Sequence, residues 1–263
     1  MHLGNWHNLD KKPTDMKNQT QPWKNRLGRT LAKMTAGAAV LAAAPAADAQ
    51  TMLHRWSFNG DGTDSIGGAN ATLVGAATFG PSDLQVPGGG PFANYADVNI
   101  ANTLNTNPSL TVESWFTLNA LQDWSKVWMF GQDTSGEPSL SYIGLTPRTG
   151  LGGNPPKVDF NPTNANEFNT SGGVNPPALA LGVTYQAVAV LDAANNQISL
   201  YIDGVLVDTG SMGGFNVTNL APNKMRIGAG FYYGDQDLNG TINEVRIYGG
   251  AVGGLQIAVN AIT

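Results

Sequence analysis

Beyond residue 50 the chain is patterned in short runs of alternating apolar and polar residues, separated by Gly, Asn, Asp and Pro. In Leu110-Thr-Val-Glu-Ser-Trp-Phe-Thr-Leu118, Leu110, Val112, Phe116 and Leu118 share one face, and Thr111, Glu113, Trp115 and Thr117 share the other. Period two is the repeat of a β-strand, so this segment predicts a strand with one buried face. Residues 183–191 and 241–248 predict two more strands. Residues 197–202 and 205–207 form apolar arms around Asp203-Gly204, a pair suited to the positive φ angles of a type I′ hairpin turn. Shorter β candidates fall at 140–145 and 157–160, inside a stretch from Gly131 to Gly182 rich in Asn, Gly and Pro. That stretch reads either as solvated edge loops or as rim loops carrying a ligand site. Helical periodicity is confined to 251–262, which predicts a short helix or a covering segment. With no internal repeat, the pattern defines one all-β sandwich or barrel.

Composition agrees, with 33 Gly, 15 Pro, 13% charged residues and no Cys among 263 residues. Charge divides the chain in two. Residues 1–49 hold 7 Lys and Arg against 3 acids, and the remainder holds 7 bases against 16 acids. A net charge of −9 over 50–263 argues against nucleic acid, whose phosphates are met by Lys and Arg, and suits cations or neutral glycans. The basic N-terminus leads into an Ala-rich apolar run that ends in Ala47-Asp48-Ala49, the layout of a secretory signal peptide cleaved before Gln50. A membrane span needs roughly 20 strongly apolar residues, more than this run supplies. The expectation is export by the general route, with translation starting at Met1 or Met16, and no transmembrane anchor in the mature chain. Without Cys, the domain of residues 50–263 is stabilised by its core alone.

Four motifs resemble a known family. His54-Arg-Trp-Ser-Phe-Asn-Gly-Asp-Gly-Thr-Asp-Ser-Ile-Gly67 is similar to the opening strand and turn of bacterial laminin-G-like (LamG) domains, which are concanavalin A-like lectin/glucanase jelly rolls. Leu110-Thr-Val-Glu-Ser-Trp-Phe resembles their central strand, Leu200-Tyr-Ile-Asp-Gly-Val-Leu their hairpin, and Leu238-Asn-Gly-Thr-Ile-Asn-Glu-Val-Arg-Ile-Tyr248 their closing strand. The order matches and the span is 54–248. The resemblance implies an antiparallel jelly-roll sandwich of two sheets, six or seven strands each, with the first and last strands adjacent. It also implies a structural Ca²⁺ where the first turn meets the closing strand. Ca²⁺ takes roughly six to eight oxygens, and Asn59, Asp61 and Asp64 make an oxygen-rich turn. The matching closing position is Asn243, an uncharged amide where the family carries Asp. The same turn also reads as an Asx-type turn without metal.

The remaining chemistry favours binding over catalysis. Tyr232, Tyr233, Asp235 and Asp237 place aromatic faces beside carboxylates before the closing strand, and Trp124 falls on a turn. Sugar C–H faces stack on such rings while their hydroxyls pair with carboxylates, so these five residues are the expected glycan site. Packing is the alternative role of such aromatics, and the one assigned to Trp56, Trp115 and Trp128. His54 is the one His after Gln50, in a strand with no nucleophile motif, and reads as structural. Glycoside hydrolysis needs two carboxyls about 5–9.5 Å apart. Glycosidases of this fold carry them as a Glu-x-Asp-x-x-Glu or Glu-x-Asp-x-Glu run, and this chain has none; Glu113 is the lone acid of its strand. The expected function is a secreted, non-catalytic carbohydrate-binding module for extracellular or cell-surface glycan. The alternatives are a structural or adhesive envelope, matrix or filament protein and a divergent glycoside hydrolase or polysaccharide lyase.

Overall fold

The computed structural model describes residues 50–132, 141–163, 165–171 and 176–262, all within one compact unit, Ala44–Thr263. The expected signal segment, 1–49, lies outside the described residues. In chain order the elements are β1 (Thr51–Trp56), β2 (Thr72–Val74), β3 (Thr78–Phe79), β4 (Leu84–Pro87), β5 (Tyr95–Asp97), α1 (Ala101–Thr106), β6 (Leu110–Leu118), β7 (Trp128–Gln132) and β8 (Ser141–Thr146). There follow β9 (Lys157–Thr163), β10 (Asn166–Asn169), β11 (Thr184–Asp192), β12 (Gln197–Ile202), β13 (Val205–Ser211), β14 (Lys224–Ile227), β15 (Asn239–Gly249) and α2 (Gly254–Ile262). Among the described residues no helix is long and apolar enough to cross a membrane.

The strands form two antiparallel sheets, the expected jelly-roll sandwich. One runs β13-β12-β11-β6-β15-β4-β3 with β1 also on β15, and the other runs β10-β9-β8-β7-β14-β5-β2. The first sheet thus has eight strands, more than the six or seven expected, because one side of β15 is shared. Residues 239–242 of β15 pair with β4 and residues 245–249 with β1. The change of partner falls at a register shift between Ile242 and Glu244, which leaves Asn243 as the bulged residue. The bulge also resets the alternation. Ile242 before it and Val245 and Ile247 after it all enter the core, and the charged Glu244 and Arg246 stay out of it.

The core lies between the sheets. Leu110, Val112, Phe116 and Leu118 of β6 enter it as the alternation predicts, with Trp56, Trp128, Phe130, Ile143, Val158 and Phe160. Each such side chain contributes about 1.5–3 kcal/mol by burial, enough in number to replace the absent disulfides. The hairpin forms at Asp203 and Gly204 with φ of 49° and 78°, the geometry their identities predict. The stretch from Gly131 to Gly182 is more ordered than loop chemistry suggests: its described residues include β8, β9 and β10, which complete one end of the seven-stranded sheet. α2 packs Ile257 onto Val188, Val190, Tyr248 and Val252, outside the eight-stranded sheet.

Candidate functional site

Alternation along β8 and β9 sends Ile143, Leu145, Val158 and Phe160 into the core, so Tyr142, Lys157 and Asp159 stand on the outer face of the seven-stranded sheet. There they floor an open cleft of about 350 Å³. Its walls are Glu167 of β10, Trp124 and Lys126 from the loop before β7, and Tyr232 and Asp235 from the loop before β15. Trp124 sits at φ 63°, an uncommon conformation for a bulky residue, with its N–H donating to the Arg148 carbonyl at 2.9 Å. Arg148 Nε in turn donates to Asp123 Oδ1 at 2.6 Å. The indole passes close to Gly150, where a Cβ would lie 3.0 Å from Nε1, so a larger side chain there would press on the turn.

The cleft carries its own ion pairs. Lys157 Nζ lies 2.7 Å from Asp159 Oδ1 and 3.6 Å from Glu167 Oε1. Lys126 Nζ donates to the Trp124 carbonyl at 3.1 Å and lies 3.8 Å from Asp235 Oδ2. Both ammonium groups hang over the Trp124 ring, at 5.1 Å and 5.8 Å from its centroid. Burial pushes the Lys126 pKa down, against the pull of Asp159 and Asp235, and burial pushes that of Asp235 up against the pull of Lys126. Tyr232 O–H donates to the Tyr142 oxygen at 2.9 Å with the rings edge to face. Burial raises both phenol pKa values, so both remain neutral hydroxyls.

Of the five expected glycan residues, the fold brings Trp124, Tyr232 and Asp235 together and sends two elsewhere. Tyr233 is 60% exposed and meets Phe92 edge to face at 5.1 Å. Asp237 is buried and accepts the N–H groups of Phe92, Ala93 and Asn94 at 2.7–3.0 Å, so it anchors one loop to another and has no free face for a sugar. Lys126, Tyr142, Lys157, Asp159 and Glu167 were not foreseen. For two of them a signal exists: in Lys157-Val-Asp-Phe160 the polar pair faces away from the apolar pair.

The expected metal set is also divided. Asp64 Oδ1 accepts the Arg55, Ile66 and Gly67 amides at 3.0–3.1 Å, and Oδ2 accepts the Ala69 amide at 2.9 Å and meets His54 Nδ1 at 2.7 Å. Burial would raise its pKa, but these donors overcome burial and hold it at about 2. With its lone pairs taken, Asp64 does not fit a cation. His54 Nδ1 faces this carboxylate, and its Nε2 shares a 2.7 Å hydrogen bond with the Thr103 hydroxyl. His54 thereby ties β1 to α1. Asn59 and Asp61 lie on the exposed first turn, where Asp61 accepts the Thr63 amide at 2.8 Å in an Asx turn. That turn reaches the closing strand indirectly: Gly60 N–H donates to the Gly80 carbonyl, and Asn243 Nδ2 to the Ser82 carbonyl. Asn243 Oδ1 and Asp83 Oδ1 are each buried without a hydrogen-bond partner, and an orphaned oxygen of this kind suits a cation. No three acidic or His groups converge among the described residues.

The chain is a jelly roll with a polar, aromatic-walled cleft on one sheet. A family model described as the concanavalin A-like lectin/glucanases superfamily matches residues 89–258, and the chain belongs to that superfamily. Among solved structures it is similar to domain 4 of AbnA, a GH43 extracellular arabinanase from Geobacillus stearothermophilus, in complex with arabinotriose. The TM-score is 0.60 at 20% identity, covering 81% of this chain and 98% of that one. It is also similar to the CBM40 of Ruminococcus gnavus IT-sialidase bound to α2,3 sialyllactose, with a TM-score of 0.55 at 14% identity, covering 68% and 96%. The sialidase of Trypanosoma rangeli matches with a TM-score of 0.53 at 17% identity, covering 80% of this chain and 32% of that one. At these identities the likeness is one of fold. No curated protein matches the sequence.

Proposed function

We propose that this protein is an exported, non-catalytic carbohydrate-binding domain whose sugar site is the cleft walled by Trp124 and Tyr232. The observation that carries this reading is the cleft itself: two aromatic walls, phenol hydroxyls and three carboxylates around one open space of about 350 Å³. That size falls in the roughly 300–1,000 Å³ range of small-molecule sites. The carboxylates are each near an ammonium group, an arrangement suited to orienting sugar hydroxyls. Two domains of this fold, from AbnA and from the IT-sialidase, are known with oligosaccharides bound, which supports the reading by analogy. A glycan-array screen of the full chain tests it. Binding is expected for the wild type, and Trp124→Ala is expected to weaken it by about tenfold or more, since aromatic truncation at a binding centre typically costs above 1 kcal/mol. If no glycan is bound, or if Trp124→Ala binds as well as the wild type, the cleft is not the sugar site.

The second reading, an adhesive or assembling protein, draws on β13, an edge strand whose Val205 and Leu206 are 63% and 49% exposed. Sedimentation of the purified chain at rising concentration separates the two: a protein that assembles through this edge and binds no glycan supports the second.

A structural Ca²⁺ belongs to the same proposal, with the orphaned Asp83 Oδ1 and Asn243 Oδ1 as its candidate ligands. Ca²⁺ is expected to raise the Tm relative to chelator. Asn243→Asp, which adds a charge, should enlarge that shift, on the order of 5 °C, by tightening the ion's affinity for the folded state. Equal melting in the two buffers for both proteins would remove the ion from the proposal.

A further inference from the structure

We infer that the cleft selects uncharged sugars and rejects acidic ones. The inference rests on the glycan reading above and names the ligand class of that same site.

Recognition of a sugar carboxylate or sulfate needs a cation with donors to spare. Among the described residues the cleft holds two cations, Lys126 and Lys157, and both are already engaged. Lys157 sits in the fork between Asp159 and Glu167, with its side chain only 9% exposed. Lys126 is deeper, 3% exposed, bonded to the Trp124 carbonyl and facing Asp235. Among the described residues, three carboxylates against two ammonium groups give the lining a net charge of −1. An acidic sugar entering here meets like charge, and no guanidinium lines the cleft among the described residues. Arg226 lies on the same sheet, but its guanidinium is buried, stacked on Phe92, Tyr95 and Phe231 and donating to the Gly230 carbonyl at 2.7 Å.

An uncharged sugar meets complementary groups. Carboxylate oxygens accept from its hydroxyls, the Tyr142 and Tyr232 phenols remain hydrogen-bonding groups at neutral pH, and the half-buried Trp124 and Tyr232 offer apolar surface. The side chain that sets the charge balance is Glu167. It is the most exposed of the three carboxylates, 48% accessible on β10, and the one farther from Lys157. Neutralising it leaves the Lys157–Asp159 pair in place and brings the lining to zero net charge.

The test is titration calorimetry on the purified full chain with matched neutral and acidic probes: arabinotriose and lactose against α2,3-sialyllactose and trigalacturonate. The neutral probes are expected to bind more tightly than the acidic ones by roughly tenfold or more, a typical reach of like-charge exclusion. Neutral binding should be nearly independent of salt. Glu167→Gln should narrow the gap by raising acidic-probe affinity several-fold. If the acidic probes bind as well as the neutral ones, or if Glu167→Gln leaves the gap unchanged, the selectivity inference is wrong while the glycan site stands. If none of the four binds, and the array is also blank, the glycan reading itself has failed.

Discussion

Asp64→Ala is expected to lower the unfolding free energy by about 3–4 kcal/mol, because it strips the acceptor from several donors at once. The Arg55, Gly67 and Ala69 amides and the His54 imidazole all point at this one carboxylate. Its side chain is fully buried, and the turn it organises carries the chain from β1 toward β2. Asp64→Asn retains one acceptor oxygen and should cost about half as much. A pH dependence follows with a defined sign. The folded pKa of about 2 lies below the ordinary 3.8, so the folded state holds the ionised form more tightly than the unfolded chain does. The corresponding stability is present above pH 4 and is lost as the pH falls through about 2. By linkage it amounts to about 2 kcal/mol. Urea denaturation of wild type, Asp64→Ala and Asp64→Asn at neutral and acid pH checks both parts. A wild-type loss between pH 5 and pH 2 that persists unchanged in Asp64→Asn would show that other groups carry it.

Glu113→Ala should cost a comparable 3–5 kcal/mol and should loosen α2 first. Glu113 is 1% exposed on the outer face of β6, under the C-terminal helix. Its oxygens accept from Gln186 at 2.6 Å, from the Tyr248 hydroxyl at 2.8 Å and from Asn260 of α2 at 3.1 Å, with Arg246 at 3.6 Å. Burial, with the same carboxylate, pushes the Tyr248 phenol up to about 12, so that hydroxyl remains a donor throughout the neutral range. Removal takes a shared acceptor from these donors beneath the helix, where Ile257 also packs on Val188, Val190 and Tyr248. Hydrogen exchange across 254–262 is expected to rise in Glu113→Ala before the core strands exchange. Unaltered exchange in that helix would mean that contacts other than those of Glu113 secure it.

These two acids mark the limit of what linear order conveys. In sequence Glu113 is a solitary acid in its strand, and Asp64 resembles a cation ligand on an oxygen-rich turn. Both turn out to be hubs of buried hydrogen bonds, because the groups that meet them come from elsewhere: residues 186, 246, 248 and 260 for one, and the fold-back of 64–69 onto β1 for the other. Oxygen-rich composition is the same for an Asx turn, a buried anchor and a metal ligand. Only the direction of the neighbouring N–H groups separates them.

What the sequence by itself determined is therefore local. Period-two alternation placed β6, β11, β12 and β15, Asp203-Gly204 placed the hairpin, and the four ordered motifs placed the chain in its fold. Each depends on contacts between near neighbours and on which face of a strand is apolar. Tertiary structure alone decided the cleft. Trp124, Asp159 and Asp235 are far apart in the chain and meet because β9, β8, β7 and β14 lie side by side in one sheet. That order is set by long-range pairing. It also decided which acids of the loop before β15 face outward: Asp235 opposes Lys126, while Asp237, two residues on, turns inward to the 92–94 amides. A strand's pattern tells which face is buried, but not which other strands will share the exposed one.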